Sequence, residues 1–264
     1  MNEPLFQTAF VTGLLLTPLV AVLGVYLRLR NEWLAALGYA QVAAAGGVAS
    51  VLLPVAMLPA ALAAATAAAL LKGALRRSGN DHFALLILLG WGAAFLIAAN
   101  HASGEMVGSA LLDGQLYFTG SGHLTLTVVL ATIALTALPW LSPRLLRERL
   151  FPDHFSANSL PTWWHTLPFD LLVVATIATA TTAIGIMAAF ALIFIPAWIA
   201  WHLARGWRQT LAIAAALATT AYLLAWWLAL VLDQPFGPVI VALLVALTPL
   251  RLLPARATPQ PISE

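Results

Sequence analysis

Cysteine is absent from the chain. That excludes disulfide staples, thiolate zinc sites and cysteine nucleophiles. Charge is scarce as well: 8% of the residues are Asp, Glu, Lys or Arg, against about 25% in an average soluble domain. With 62% of its 264 residues hydrophobic, the chain lacks the polar side chains to cover a water-soluble fold. A soluble enzyme, a nucleic-acid binder and a disordered chain are excluded on that ground. Alternating polarity is missing too. An outer-membrane barrel needs strands of about ten residues whose polarity alternates, whereas the apolar runs here are continuous and rich in Ala and Leu. What remains is an all-α, polytopic transmembrane bundle.

Catalytic motifs are equally lacking. There is no G-x-x-x-x-G-K-[ST] phosphate loop, so the chain has no means of hydrolysing ATP itself, and there is no H-E-x-x-H or G-x-S-x-G. Ser121-Gly122-His123 places a Ser near a His, an arrangement common in loops. No cofactor is implied for this chain, and an intramembrane enzyme would need a catalytic pair at one depth that the sequence does not offer.

The apolar runs are the positive signal. A crossing takes roughly 20 residues, and runs of that kind lie near 6–27, 35–52, 54–71, 82–100, 124–142, 167–183, 186–204, 209–232 and 238–252. The first, after an acidic start at Glu3, is long enough to be a retained span rather than a cleaved leader. As unbroken helices, 35–71 and 167–204 would each reach about 55 Å at 1.5 Å per residue, so each must turn once. Pro54 and Gly185 sit where those turns are needed. The count is nine spans, or eight if one tight turn is absent.

Basic residues collect in cytoplasmic loops. With the N-terminus outside, Arg28, Arg30, Lys72, Arg76, Arg77, Arg144, Arg147, Arg149, Arg205, Arg208, Arg251 and Arg256 all fall on the inside. They are all twelve cations of the chain. The C-terminus is then cytoplasmic, with 253–264 a disordered tail. Residues 101–123 form an outer connection that dips into the protein as a short helix, and 143–166 form the largest cytoplasmic loop.

Polar residues within this frame are few. Tyr39 and Gln41 stand at depth among the small residues Ala43, Ala44, Ala45, Gly46 and Gly47, which permit close helix approach. They are candidates for lining a translocation path, or for interhelical hydrogen bonding. His101, Glu105, Asp113 and Asp233 are candidates for an outer mouth, since imidazole and carboxylate suit borderline and hard cations; an ordinary solvated loop has the same composition. Asp170, near the start of its span, reads as an acid favoured by the helix macrodipole. His202, beside Arg205, Trp207 and Arg208, reads as an interfacial residue, as do Trp163, Trp164 and Trp201.

Three segments carry a resemblance. Gly185–Ala200 (GIMAAFALIFIPAWIA), Asp233–Val241 (DQPFGPVIV), and Leu111–Phe118 (LLDGQLYF) followed by a span and a cytoplasmic loop resemble, in order and spacing, the membrane permease subunits of bacterial zinc/manganese ABC importers. That resemblance implies a single permease domain over 1–264 in the inner membrane, moving a divalent transition metal. It also implies a homodimer in the bilayer, a cytoplasmic ATP-binding subunit that uses the ATP, and a periplasmic or extracellular solute-binding protein. The coupling loop would dock on the ATPase subunit through Asp153, Phe155, Ala157 and Ser159. The family's D-A-L-S-H-A-like segment, with its Asp and His, reads Ala35-Ala36-Leu37-Gly38-Tyr39-Ala40 here. Ala35 stands at the Asp position and Tyr39 at the His position. A metal chelate, another small solute, or a non-transporting scaffold derived from a permease are the alternatives this departure leaves open.

Overall fold

The structure, a computed structural model, describes residues 4–75, 79–114, 116, 119–151, 153, 155, 158 and 161–253. Among these residues there are ten α-helices and no strand. In chain order they are α1 (Pro4–Leu29), α2 (Ala35–Ala49), α3 (Met57–Leu75), α4 (Asn80–Ala99), α5 (Gly104–Asp113), α6 (Ser121–Leu150), α7 (Trp163–Ile184), α8 (Ile186–Leu203), α9 (Trp207–Val231) and α10 (Phe236–Ala246). A 3-10 turn, Thr248–Leu252, closes the described chain.

All nine expected spans are helices, and α5 is the short helix expected in the outer connection. Seven helices are long and apolar enough to cross a bilayer alone, while α2 and α10 are shorter. The 15 residues of α2 reach about 22 Å, less than the roughly 30 Å hydrocarbon layer. Its position explains why that suffices. It packs against α3, α4, α7 and α8, and 11 of its residues are buried, so protein rather than lipid surrounds it. Small side chains make this enclosure feasible. At Gly90 of α4 a Cβ would come within 2.6 Å of the Gln41 carbonyl carbon, so α2 and α4 touch backbone to backbone.

The turns fall where length demanded them. Residues 50–56 separate α2 from α3, and Gly185, at φ 92°, separates α7 from α8. That left-handed conformation is inexpensive only for glycine. Two boundaries differ most from expectation: the last span, expected over 238–252, is α-helical only to Ala246 and ends in the 3-10 turn, and the fifth is longer than expected. The span expected at 124–142 runs on to Leu150, through Pro139 and Pro143. A 30-residue helix of about 45 Å therefore projects past the hydrocarbon and carries Arg144, Arg147 and Arg149 with it. The connection to α7 shrinks to 151–162, in which Asp153 and Phe155 are helical.

The core lies along α1, α2, α7 and α8. Thr176, Thr179 and Thr182 of α7 satisfy their hydroxyls by donating to the carbonyls of Leu172, Ala175 and Ala178 at 2.8, 2.8 and 3.0 Å, the usual solution for a hydroxyl inside a buried helix. The outer helices show the opposite pattern. Leu85, Leu88, Leu89, Trp91, Phe95 and Leu96 of α4 are exposed, as are Val128, Val129, Ile133 and Leu135 of α6. A soluble protein rarely leaves such bands uncovered; lipid covers them at no cost.

Cross-helix contacts gather the basic segments at one end of the bundle. The Trp207 indole donates to Ser142 at 3.0 Å. His202 lies 3.0 Å from the Leu253 carbonyl, and the Arg251 guanidinium stacks over Trp198 at 4.1 Å. The charge pattern of the sequence thus becomes a geometric one, with a basic end and, opposite it, an end that bears Glu105 and Asp233.

Candidate functional site

A cavity of about 850 Å³ lies between α2, α4 and α5, toward the end opposite the basic one. α2 supplies Gln41, Ala44 and Val48; α4 supplies Trp91, Phe95 and Ala98; the α4–α5 turn and α5 supply Asn100, His101, Glu105 and Ser109. Ile186, the first residue beyond the Gly185 break, also reaches the wall. Three of the expected residues, Gln41, His101 and Glu105, therefore share one space. Gln41 is 6% exposed and supplies a deep amide, while Glu105 is exposed and His101 half-buried at the rim. The His101 Nδ1 accepts the Ser103 backbone N–H at 3.4 Å.

The other expected residues lie elsewhere. Tyr39 is not in the cavity wall. Its ring meets Phe83 edge-on at 5.6 Å, and its buried hydroxyl has no hydrogen-bond partner. Asp233 is exposed in the turn after α9, with φ 51°, and is not among the lining residues. The Asp113 side chain lies outside the described residues, as do Ala157 and Ser159. Asp153 is exposed. Phe155 packs against the His165 ring at 5.1 Å, and His165 Nε2 lies 3.1 Å from the Glu148 carboxylate. His165 is 2% exposed, so this contact pins the 151–162 connection to the ends of both α6 and α7.

A second polar site was not foreseen. At the basic end, Arg30, Glu32, Lys72 and Asp170 form a closed ring of ion pairs. Arg30 meets Asp170 at 2.8 Å and Glu32 at 3.4 Å, and Lys72 meets Glu32 at 2.8 Å and Asp170 at 3.0 Å. Each of the four carboxylate oxygens serves one contact. The four side chains are between 5% and 12% exposed. Burial opposes the Arg30 charge, but the carboxylates of Asp170, Glu32 and Glu148 outweigh it and its pKa is raised. Two aromatic faces complete the cage: Arg30 sits 5.4 Å over Phe169 and Lys72 5.4 Å over Phe83.

Asp170 is therefore not a macrodipole acid. α7 begins at Trp163, which puts Asp170 two turns inside the helix, beyond the first turn where that effect acts. The signal that would have revealed it is scarcity: an acid within an apolar helix needs a partner. Its partners are 98 and 140 positions away. His123, two residues from Ser121, has a partner on another helix. The His123 Nε2 lies 3.2 Å from the Thr182 hydroxyl, a tie between α6 and α7. Among the described residues no group of three or more His, Cys, Asp or Glu is arranged to hold a metal.

The sequence profile of the ABC 3 transport family matches residues 2–253. No curated protein is significantly similar in sequence. Among solved structures, a chain of PsaBC from Streptococcus pneumoniae in complex with Fab superposes with a TM-score of 0.82 at 15% identity, over 97% of this chain and 93% of that one. A structure described as an inward-facing conformation of a metal-chelate type ABC transporter gives a TM-score of 0.74 at 16% identity, over 96% and 89%. At these identities the likeness is one of fold.

Proposed function

This chain belongs to the ABC 3 transport family, and we propose that it is the permease subunit of an ABC importer that moves a divalent transition metal, of the zinc or manganese class, through the inner membrane of a bacterium. The reading rests on the cavity beside α2. A polar amide at depth, Gln41, and a rim bearing His101 and Glu105 line one space of about 850 Å³. A few polar groups on a largely apolar wall hold a solute loosely, and conduction needs binding loose enough to release.

The basic end faces the cytoplasm in this reading, by the charge rule for inner loops. The opposite end, where the cavity opens, receives solute from a periplasmic or extracellular binding protein. Two copies pair in the bilayer, and the exposed apolar bands of α4 and α6 meet lipid or the second copy. A cytoplasmic ATPase subunit, the consumer of ATP, engages the 151–162 connection. Asp153 is exposed there, and Phe155 is fastened through His165 to α6 and α7.

A specific observation favours a chelated metal as the cargo. The wall is largely apolar, with Trp91 and Phe95 beside the few polar groups, and the described residues hold no metal-ligating cluster. A bare divalent ion would exchange hydration for too few ligands, whereas a chelate brings its own. The test is ATP-driven uptake into vesicles carrying the permease with its ATPase subunit and binding protein. Radiolabelled manganese and zinc are offered free and then complexed with a small chelator. Uptake of complexed metal above free metal supports the chelate reading, and uptake of free metal alone refutes it. No metal uptake in either form removes the metal assignment.

A further inference from the structure

We propose that the ring of Arg30, Glu32, Lys72 and Asp170 is a latch of the transport cycle, closed in this structure and opened when the 151–162 connection is moved by the ATPase subunit. The proposal rests on the permease reading. Three features of the molecule carry it.

The first is cost. The chain has 22 charged residues, counting 12 basic and 10 acidic, and four of them, including its only lysine, are in this ring. A buried ion network contributes little net stability, because desolvation offsets the Coulombic gain. Apolar side chains would fasten α1, α3 and α7 at least as well. Ion pairs differ from apolar packing in being exchangeable: their partners can be traded for others when an interface moves, as in known switching interfaces.

The second is position. The ring joins the end of α1, the α1–α2 turn, the end of α3 and the body of α7. On one side, Asp170 lies five residues along α7 from His165, whose ring holds Phe155 of the 151–162 connection. On the other side the Glu32 carbonyl accepts the Ala35 N–H at 2.9 Å at the start of α2, the helix that carries Gln41 into the cavity. A push on the connection thus reaches the cavity helix through the ring as well as through the direct packing of α7 on α2.

The third is an unused donor. The Tyr39 hydroxyl is buried and unpartnered, and its ring packs at 5.6 Å on Phe83, the same aromatic ring over which Lys72 of the ion ring sits. With the ring closed, all four carboxylate oxygens are occupied. When the ring opens, a carboxylate loses its cation and Tyr39 can donate to it. An open state then has a hydrogen bond that the closed state lacks, which is what a two-state element requires.

Tyr39→Phe separates a latch from a strut. The variant removes one hydroxyl that makes no bond in the closed form, so a purely static role predicts unchanged ATP hydrolysis. A latch predicts that the permease is as thermally stable as wild type, while ATP hydrolysis by the assembled permease–ATPase complex falls about tenfold, the weight of a lost bond to a charged acceptor. Hydrolysis needs no identified cargo. A second variant, Glu32→Cys with Lys72→Cys, uses the absence of native cysteine. A disulfide-forming bifunctional thiol reagent then joins only these two positions when the ATPase subunit is also cysteine-free. Hydrolysis should drop on cross-linking and return on reduction. An unchanged rate in Tyr39→Phe, or in the cross-linked pair, overturns the latch. A wild-type chain that assembles with no ATPase subunit overturns the permease reading instead.

Discussion

Replacing Asp170 by Asn removes one charge and almost no volume. Two contacts are lost, to Arg30 at 2.8 Å and to Lys72 at 3.0 Å. The remaining three side chains carry two positive charges and one negative, in a site no more than 12% exposed. Stripping one partner from a buried pair costs about 3–5 kcal/mol, because the orphaned charge keeps its desolvation penalty. Here Glu32 still compensates part of the charge, so the lower end, about 3 kcal/mol, is expected. The double variant Lys72→Met with Asp170→Asn restores balance and leaves Arg30 facing Glu32. It should recover most of the loss, to within about 1.5 kcal/mol of wild type. Denaturant unfolding of the purified permease in micelles measures both. If Asp170→Asn alone loses under about 1 kcal/mol, the ring is hydrated and the account of its burial is wrong.

Three further variants probe other joints. His165→Ala removes the contact to Glu148 at 3.1 Å and the ring under Phe155; capture of the ATPase subunit should weaken about tenfold in a pull-down titration, by the loss of roughly 1.5 kcal/mol of positioning. Gly90→Val inserts a side chain where α2 and α4 backbones meet, and it should lower stability by about 2–3 kcal/mol, read as a fall in the unfolding midpoint; an unchanged midpoint would mean the two helices do not pack closely. Tyr222→Phe loses the bond to the Phe10 carbonyl at 2.8 Å while keeping its ring contacts with Phe10 and Phe236. A loss of about 1 kcal/mol is expected, and a larger one would show that the hydroxyl also organises the α1–α9 seam.

The spans were legible because lipid imposes one simple rule: a crossing helix must be long and apolar, and seven of them are. The burial of α2 was legible in its run of Ala and Gly, since small residues belong where helices touch. The cavity was half legible. Gln41, His101 and Glu105 are polar residues in apolar surroundings, but only the fold shows that they share a wall with Trp91 and Phe95. The ion ring was illegible for a definite reason. Arg30 and Lys72 are consistent with the charge rule for inner loops, which treats a basic residue near a helix end as a group in water. Nothing in that rule says which of them turns inward.

The two sites belong to opposite ends of one short helix. α2 begins at the ion ring, next to Glu32, and carries Gln41, Ala44 and Val48 into the cavity wall. Because it is enclosed by α3, α4, α7 and α8, with 11 of its 15 residues buried, it has little free surface along which to slide. A displacement of α7 must be absorbed by repacking or passed on to α2, since close-packed interiors yield by discrete rearrangement rather than by compression. The places where α2 can yield are few. At Gly90 its backbone already touches α4, so α2 and α4 move together. α4 carries Trp91 and Phe95, so a shift that starts at Asp170 changes the apolar half of the cavity as well as Gln41. In the proposed latch, the width of the cavity and the depth of Gln41, the buried one of its two amides beside the exposed Asn100, are set by the same motion.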